Sequence, residues 1–113
     1  MKEKKKPVRT TFTHQKKRGS ILEGVSGDLS SLSLAYRLTE KASSVGFDWP
    51  DVKGILRKLD EEIKEFREAL SLQKRNRIRE EIGDLLFVIV NIARFLKIDP
   101  EASLRRTIEK FTS

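Results

Sequence analysis

Apolar residues recur at three- and four-residue spacing through most of this chain, the period of helices that bury one face. Leu29, Leu32, Ala35, Leu38 and Ala42 form the first series. Asp28 or Ser30 can cap its start, and Gly46 ends it as helix C-terminal glycines do. Asp48-Trp49-Pro50-Asp51 reads as a new start, with an acidic cap, an early proline and acid in the first turn. Val52, Ile55, Leu56, Leu59, Ile63, Phe66 and Leu70 then predict a second helix to about Leu70. The polar stretch Ser71–Asn76 suits the turn of an antiparallel helical hairpin.

The third helix, roughly Arg77–Leu96, is apolar on more of its circumference. Ile78, Ile82, Leu85, Leu86, Ile89, Ile92, Ala93 and Leu96 make a broad stripe, widened by Phe87, Val88, Val90 and Phe95. Such a helix sits at the centre of its bundle or in an oligomer interface. One small domain offers little to cover it, so at least a homodimer is expected. Asp99-Pro100-Glu101 opens a last helix through Leu104, Ile108 and Phe111. No internal repeat, Gly-rich phosphate loop or dinucleotide fingerprint interrupts these elements.

With 113 residues, 37% of them hydrophobic, the chain suits one small domain. Its longest apolar run, Leu85–Val90, is far too short to span a bilayer, so no membrane partner is expected. The absence of cysteine excludes disulfides, thiolate metal sites and cysteine nucleophiles, and fits a reducing cytoplasm. His14, the only histidine, lies in a lysine-rich stretch remote from the patterned helices. Any metal site therefore uses carboxylates. The net charge of +7 is entirely in residues 1–20, which hold eight Lys or Arg and one acid. Residues 21–113 carry 16 basic and 16 acidic residues. We therefore divide the chain into a basic linker or tail, 1–20, and a domain, 21–113. Phe12 is the one aromatic in the tail, so no stacking platform and no specific nucleic-acid binding are expected.

Two short acidic motifs carry the chemistry. Glu62 and Glu65 are three residues apart on the second helix, and Glu81 and Asp84 three apart on the third. That spacing puts each pair on one helix face. At 100° per residue, Glu62 lies about 80° from the centre of the apolar stripe and Glu65 about 140° away on the same side. Glu62 is thus expected at the margin of the buried face, half enclosed. Two such helices side by side bring four carboxylates together, a repulsive cluster unless a hard cation with oxygen ligands joins it. Mg²⁺ fits. Acidic pairs on exposed helices more often simply keep a face soluble, but Asp84 borders a six-residue apolar run. Asn91 follows Asp84 by two turns on the same flank and needs a polar partner there. Trp49 could stack on a base or anchor the helix start, and Arg77, within a basic stretch, could meet phosphates.

Several segments, in order and spacing, resemble the MazG nucleotide pyrophosphohydrolase family. They are Gly46-Phe-Asp-Trp-Pro-Asp, Lys58-Leu-Asp-Glu-Glu-Ile-Lys-Glu, Glu80-Glu-Ile-Gly-Asp-Leu-Leu-Phe, Val90-Asn-Ile-Ala-Arg and Ile98-Asp-Pro-Glu-Ala. The resemblance runs from about Ile21 to the last residue and implies the C-terminal half of a tandem-domain member. It implies an all-α helical bundle that dimerises and hydrolyses nucleoside triphosphates to monophosphates and pyrophosphate with Mg²⁺. Glu62, Glu65, Glu81 and Asp84 match the metal ligands, Glu61 a water-orienting acid and Lys110 a phosphate-contacting lysine. Ile108 departs from the family, which commonly has Asn there, and arginines usually follow the Lys-Phe pair. The competing expectation is a catalytically weakened module for dimerisation or nucleotide sensing.

Overall fold

In the computed structural model, which describes residues 29–113, four helices follow one another with no strand among the described residues. They are α1 (Ser31–Ser44), α2 (Val52–Ser71), α3 (Arg75–Phe95) and α4 (Pro100–Thr112). The basic tail lies outside the described residues.

Ser30 and Asp99 cap their helices as expected, but at α2 the cap is Asp51 rather than Asp48, and Pro50 precedes the helix instead of entering its first turn. Ser30 Oγ accepts from the Ser33 N–H at 3.2 Å, and Asp51 Oδ1 from the Gly54 N–H at 3.2 Å. Asp99 Oδ1 accepts from the N–H groups of Glu101 and Ala102 at 2.9 and 3.4 Å, with Pro100 in the first turn. These oxygens satisfy donors that have no partner within the helix. The start of α3 differs from expectation. The helix begins at Arg75, so the connection is only residues 72–74 and Arg77 belongs to the first turn. Its cap, Lys74, forms no side-chain cap bond, so the sequence carries no start signal there. An exposed polar first turn and a polar loop look alike in composition.

Three helices close with the same pair of backbone bonds. At the end of α1 the Phe47 N–H reaches Ala42 O and the Gly46 N–H reaches Ser43 O, with Gly46 at φ 98°. The corresponding bonds after α2 run from Lys74 to Ala69 and Gln73 to Leu70, and after α3 from Ile98 to Ala93 and Lys97 to Arg94. This closure requires a positive φ at one residue, a conformation glycine adopts freely. Gln73 (φ 53°) and Lys97 (φ 59°) adopt it with a side chain.

The α3 helix touches each of the other three, and its contact with α2 is the most extensive. The buried centre is small and half polar: Ala42, Ile55, Ala69, Val88 and Val90 share it with Thr39, Lys58, Glu62, Glu81, Asn91 and Arg94. Ser30 Oγ donates to Glu101 Oε1 at 2.7 Å and helps fasten α1 to α4. No residue of α4 is buried. On α2 and α3 the apolar stripes turn inward only in part, at Ile55 for example, and much of each stripe faces away from the helix pair. Leu56 and Leu70 on α2, Ile82, Leu86 and Ile89 on α3, and Leu96 at its C-terminal cap remain 44–53% exposed.

The helix ends yield a paired expectation. Gly46→Ala meets no neighbouring atom but forces alanine into φ 98°, and should cost about 1 kcal/mol or more. Lys97→Gly should gain a few tenths to about 1 kcal/mol, because relief at φ 59° outweighs the greater freedom of the unfolded chain. Urea denaturation of both variants measures the two signs.

Candidate functional site

Antiparallel packing of α2 on α3 brings the acidic motifs together. Carboxylate oxygens of Glu62, Glu81 and Asp84 all lie within 4.8 Å of one another. Glu62 is completely buried, not half enclosed as its distance from the apolar stripe suggested. The stripe is a poor guide because α2 meets α3 through the face carrying Ile55, Lys58, Glu62 and Ala69. Glu81 is also buried, and its Oε1 is closed to solvent with no hydrogen-bond partner. Glu65, the fourth expected ligand, is half-buried outside the three-carboxylate group, though its charge reaches Glu81. Glu61 is half-buried beside Glu62.

Burial is the largest influence on Glu81, followed by hydrogen bonding to Glu62 and then the charges of Glu62, Glu65 and Asp84. All act in one direction, and they raise its pKa from 4.5 to about 7. Lys58 opposes this crowding. Its Nζ lies 2.6 Å from Glu62 Oε2, and both side chains are buried. Sequence reading missed Lys58, although its i,i+4 spacing to Glu62 is visible once Glu62 is known to be inside.

The other expected site residues are distributed around this centre. Arg77, half-buried, occupies the turn of α3 before Glu81 and shares its face. Asn91 is buried on that face two turns beyond Asp84, and its Oδ1 accepts from Arg94 Nε at 3.1 Å and Nη2 at 2.6 Å. Trp49 is not brought to the carboxylates; its ring lies on Gly54 in the first turn of α2, where an added Cβ would stand 3.0 Å from Cε3. That is the anchoring role. Lys110 is exposed near the end of α4 and makes no ion pair with the cluster.

A second polar centre lay beyond sequence reasoning. Arg94 Nη1 and Nη2 donate to Asp48 Oδ2 and Oδ1 at 2.9 and 2.8 Å, a two-pronged pair across 46 positions. Asp48 also accepts from Ser43 Oγ at 2.8 Å and from the Trp49 N–H at 2.7 Å. Burial alone would raise the Asp48 pKa, but bonds from Arg94, Ser43 and Trp49 outweigh it and hold the carboxyl below 3.8.

The three carboxylates fit a hard divalent cation. Oxygen donors from two helices converge, and one buried oxygen lacks any hydrogen-bond donor. Fold and site thus define an all-helical domain centred on a carboxylate cluster suited to a divalent metal.

The MazG nucleotide pyrophosphohydrolase domain family matches residues 51–113, and the chain belongs to that family. It is 46% identical over 96 residues to the nucleoside triphosphate pyrophosphohydrolase/pyrophosphatase MazG of Thermotoga maritima, covering 85% of this chain and 36% of that protein. It is 35% identical over 108 residues to the nucleoside triphosphate pyrophosphohydrolase of Escherichia coli, covering 92% of this chain and 40% of that protein. The chain thus spans less than half the length of these relatives.

The raised Glu81 pKa makes stability depend on pH. Between 4.5 and about 7 the folded state holds a proton that the unfolded state has lost. The favourable contribution is complete below 4.5 and disappears as pH rises through about 7. In chelator, melting temperature should fall across this range, by an amount equivalent to at most about 3 kcal/mol. Glu81→Gln should flatten that slope in a pH series of thermal melts.

Proposed function

We propose that the domain, residues 21–113, hydrolyses nucleoside triphosphates to nucleoside monophosphates and pyrophosphate with Mg²⁺ in a cytoplasmic nucleotide pool. The observation that carries this reading is the convergence of Glu62, Glu81 and Asp84 within 4.8 Å, with Glu81 held near neutrality. Relatives named as nucleoside triphosphate pyrophosphohydrolases support it.

Glu62, Glu81 and Asp84, with Glu65 beside them, would hold the metal. Bound there, Mg²⁺ supplies positive charge to phosphate oxygens and acidifies water. Glu61 and Glu62 orient the attacking water and take its proton as it adds to the α-phosphorus. The bond to the bridging oxygen breaks, and pyrophosphate departs towards Arg77 and Lys110, whose positive charges stabilise it. Lys58 places a positive charge 2.6 Å from Glu62 Oε2. Asn91 and Trp49 serve the nucleoside end, Asn91 by direct contact and Trp49 by fixing the start of α2.

Pyrophosphate release from a panel of nucleoside triphosphates, with Mg²⁺ and with chelator, tests the proposal. Mg²⁺-dependent release with monophosphate as co-product is expected, and Glu81→Ala or Asp84→Ala should lower it by roughly 10²–10³-fold. If Mg²⁺ and nucleotide raise the melting temperature without turnover, the domain is the nucleotide-sensing module instead.

The active form in this proposal is a homodimer. The exposed apolar stripes of α2 and α3 lie on adjacent helices, and a second copy would cover them. Sedimentation equilibrium should give twice 13.0 kDa. A charge at the centre of the stripe, as in Ile89→Lys, should return the monomer mass.

A further inference from the structure

Arginine has only hydrogen-bond donors, so whatever faces its guanidinium must accept. Both Arg94 bonds to Asn91 end on Oδ1, at 3.1 and 2.6 Å. The carbonyl end of the Asn91 amide is therefore committed to Arg94, and the NH₂ end is turned away from it. An unanchored asparagine can present either end; this one cannot. Arg94 is in turn held by both oxygens of Asp48, and Asp48 by Ser43 Oγ and the Trp49 N–H. One guanidinium thereby joins the end of α1, the α1–α2 connection and the last turns of α3.

The donor so presented meets no acceptor among the described residues. Asn91 is 6% exposed, and no bond from its Nδ2 is formed among the described residues. Nδ2 is not among the buried atoms that lack a partner, so it lies within reach of solvent, and an oriented donor there can meet a ligand atom on the same face. Its position selects which part of the ligand. Asn91 shares the α3 face of Glu81 and Asp84 and lies about 10 Å along the axis from Asp84. With phosphates at the carboxylates, the sugar and base of the same nucleotide extend over that span.

We infer that Asn91 reads the nucleoside half of the substrate by donating from Nδ2 to an acceptor oxygen or ring nitrogen, and that Arg94 and Asp48 are positioning residues that hold the amide donor-outward. This rests on the proposed nucleotide reading. Affinity for the phosphate chain belongs to the carboxylate centre; discrimination among nucleosides belongs to this second centre.

Calorimetric titration of the full chain in Mg²⁺, with an α,β-imido nucleoside triphosphate and with inorganic tripolyphosphate, separates the two. Asn91→Asp keeps oxygens for Arg94 but removes the NH₂ donor, while Asn91→Ala removes the donor without adding charge. Both should bind the nucleotide analogue roughly three- to tenfold more weakly and tripolyphosphate unchanged within about twofold. Arg94→Lys, which leaves the amide free to turn, should shift the ratio of the two affinities in the same direction. Equal losses on both probes, or unaltered nucleotide affinity in the Asn91 variants, would overturn the inference. An Arg94→Lys protein that melts earlier with an unchanged ratio would reduce Arg94 to a structural role and overturn the positioning claim. Wild-type protein that binds neither probe would fail the nucleotide reading itself, and the inference with it.

Discussion

Three carboxylates whose oxygens approach within 4.8 Å set the terms for the rest of this domain. At an effective dielectric of about 20, each ionised pair at that separation repels by roughly 3–4 kcal/mol. Two responses are built into the chain. Lys58 neutralises Glu62 at 2.6 Å, and Glu81 retains its proton to about pH 7. A divalent cation would replace both with a stronger interaction, since it attracts all three groups at once. A fold that places such repulsion in its centre must derive its stability from other contacts.

The geometry of α2 and α3 shows where those contacts are. A helix pair normally buries its apolar stripes against each other. Here the pair meets through Lys58, Glu62 and Ala69 on one side and Glu81 and Val88 on the other. Ile55 apart, the stripe residues lie to one side of that contact, and Leu56, Leu70, Ile82, Leu86 and Ile89 stay 44–53% exposed. The arrangement keeps ionic groups inside and apolar groups outside within a single chain, and in the proposed dimer a second copy supplies the missing apolar contact. Carboxylate cluster and proposed association surface are then neighbouring flanks of the same two helices.

Arg94 extends this organisation along α3. Its four hydrogen bonds to Asp48 and Asn91 fix the α1–α2 connection against the end of α3. The Asp48 pair is present above the usual carboxylate range and is lost only as pH falls through its lowered folded value. At neutral pH the Asp48–Arg94 pair is fully charged, whereas the pKa of Glu81 in the carboxylate centre is raised to about 7. The two polar centres therefore differ in character although they share α3.

Local chemistry alone marked the caps at Ser30 and Asp99, the glycine stop at Gly46 and the helical period of each segment. These depend on residues within one turn of each other, so the sequence contains all the information they need. The pairing of Glu62 with Glu81 and Asp84 was also foreseeable, because a short polar connection forces antiparallel neighbours. The start at Arg75 was not, since Lys74 caps nothing through its side chain. Tertiary packing alone decided that the polar margin of α2 would be the inner face, which buried Glu62 completely and enclosed Lys58 with it. It alone joined Asp48 to Arg94 across 46 positions. Periodicity tells which residues share a face; which face turns inward depends on the partner helix, and that information is not local to any segment of the chain.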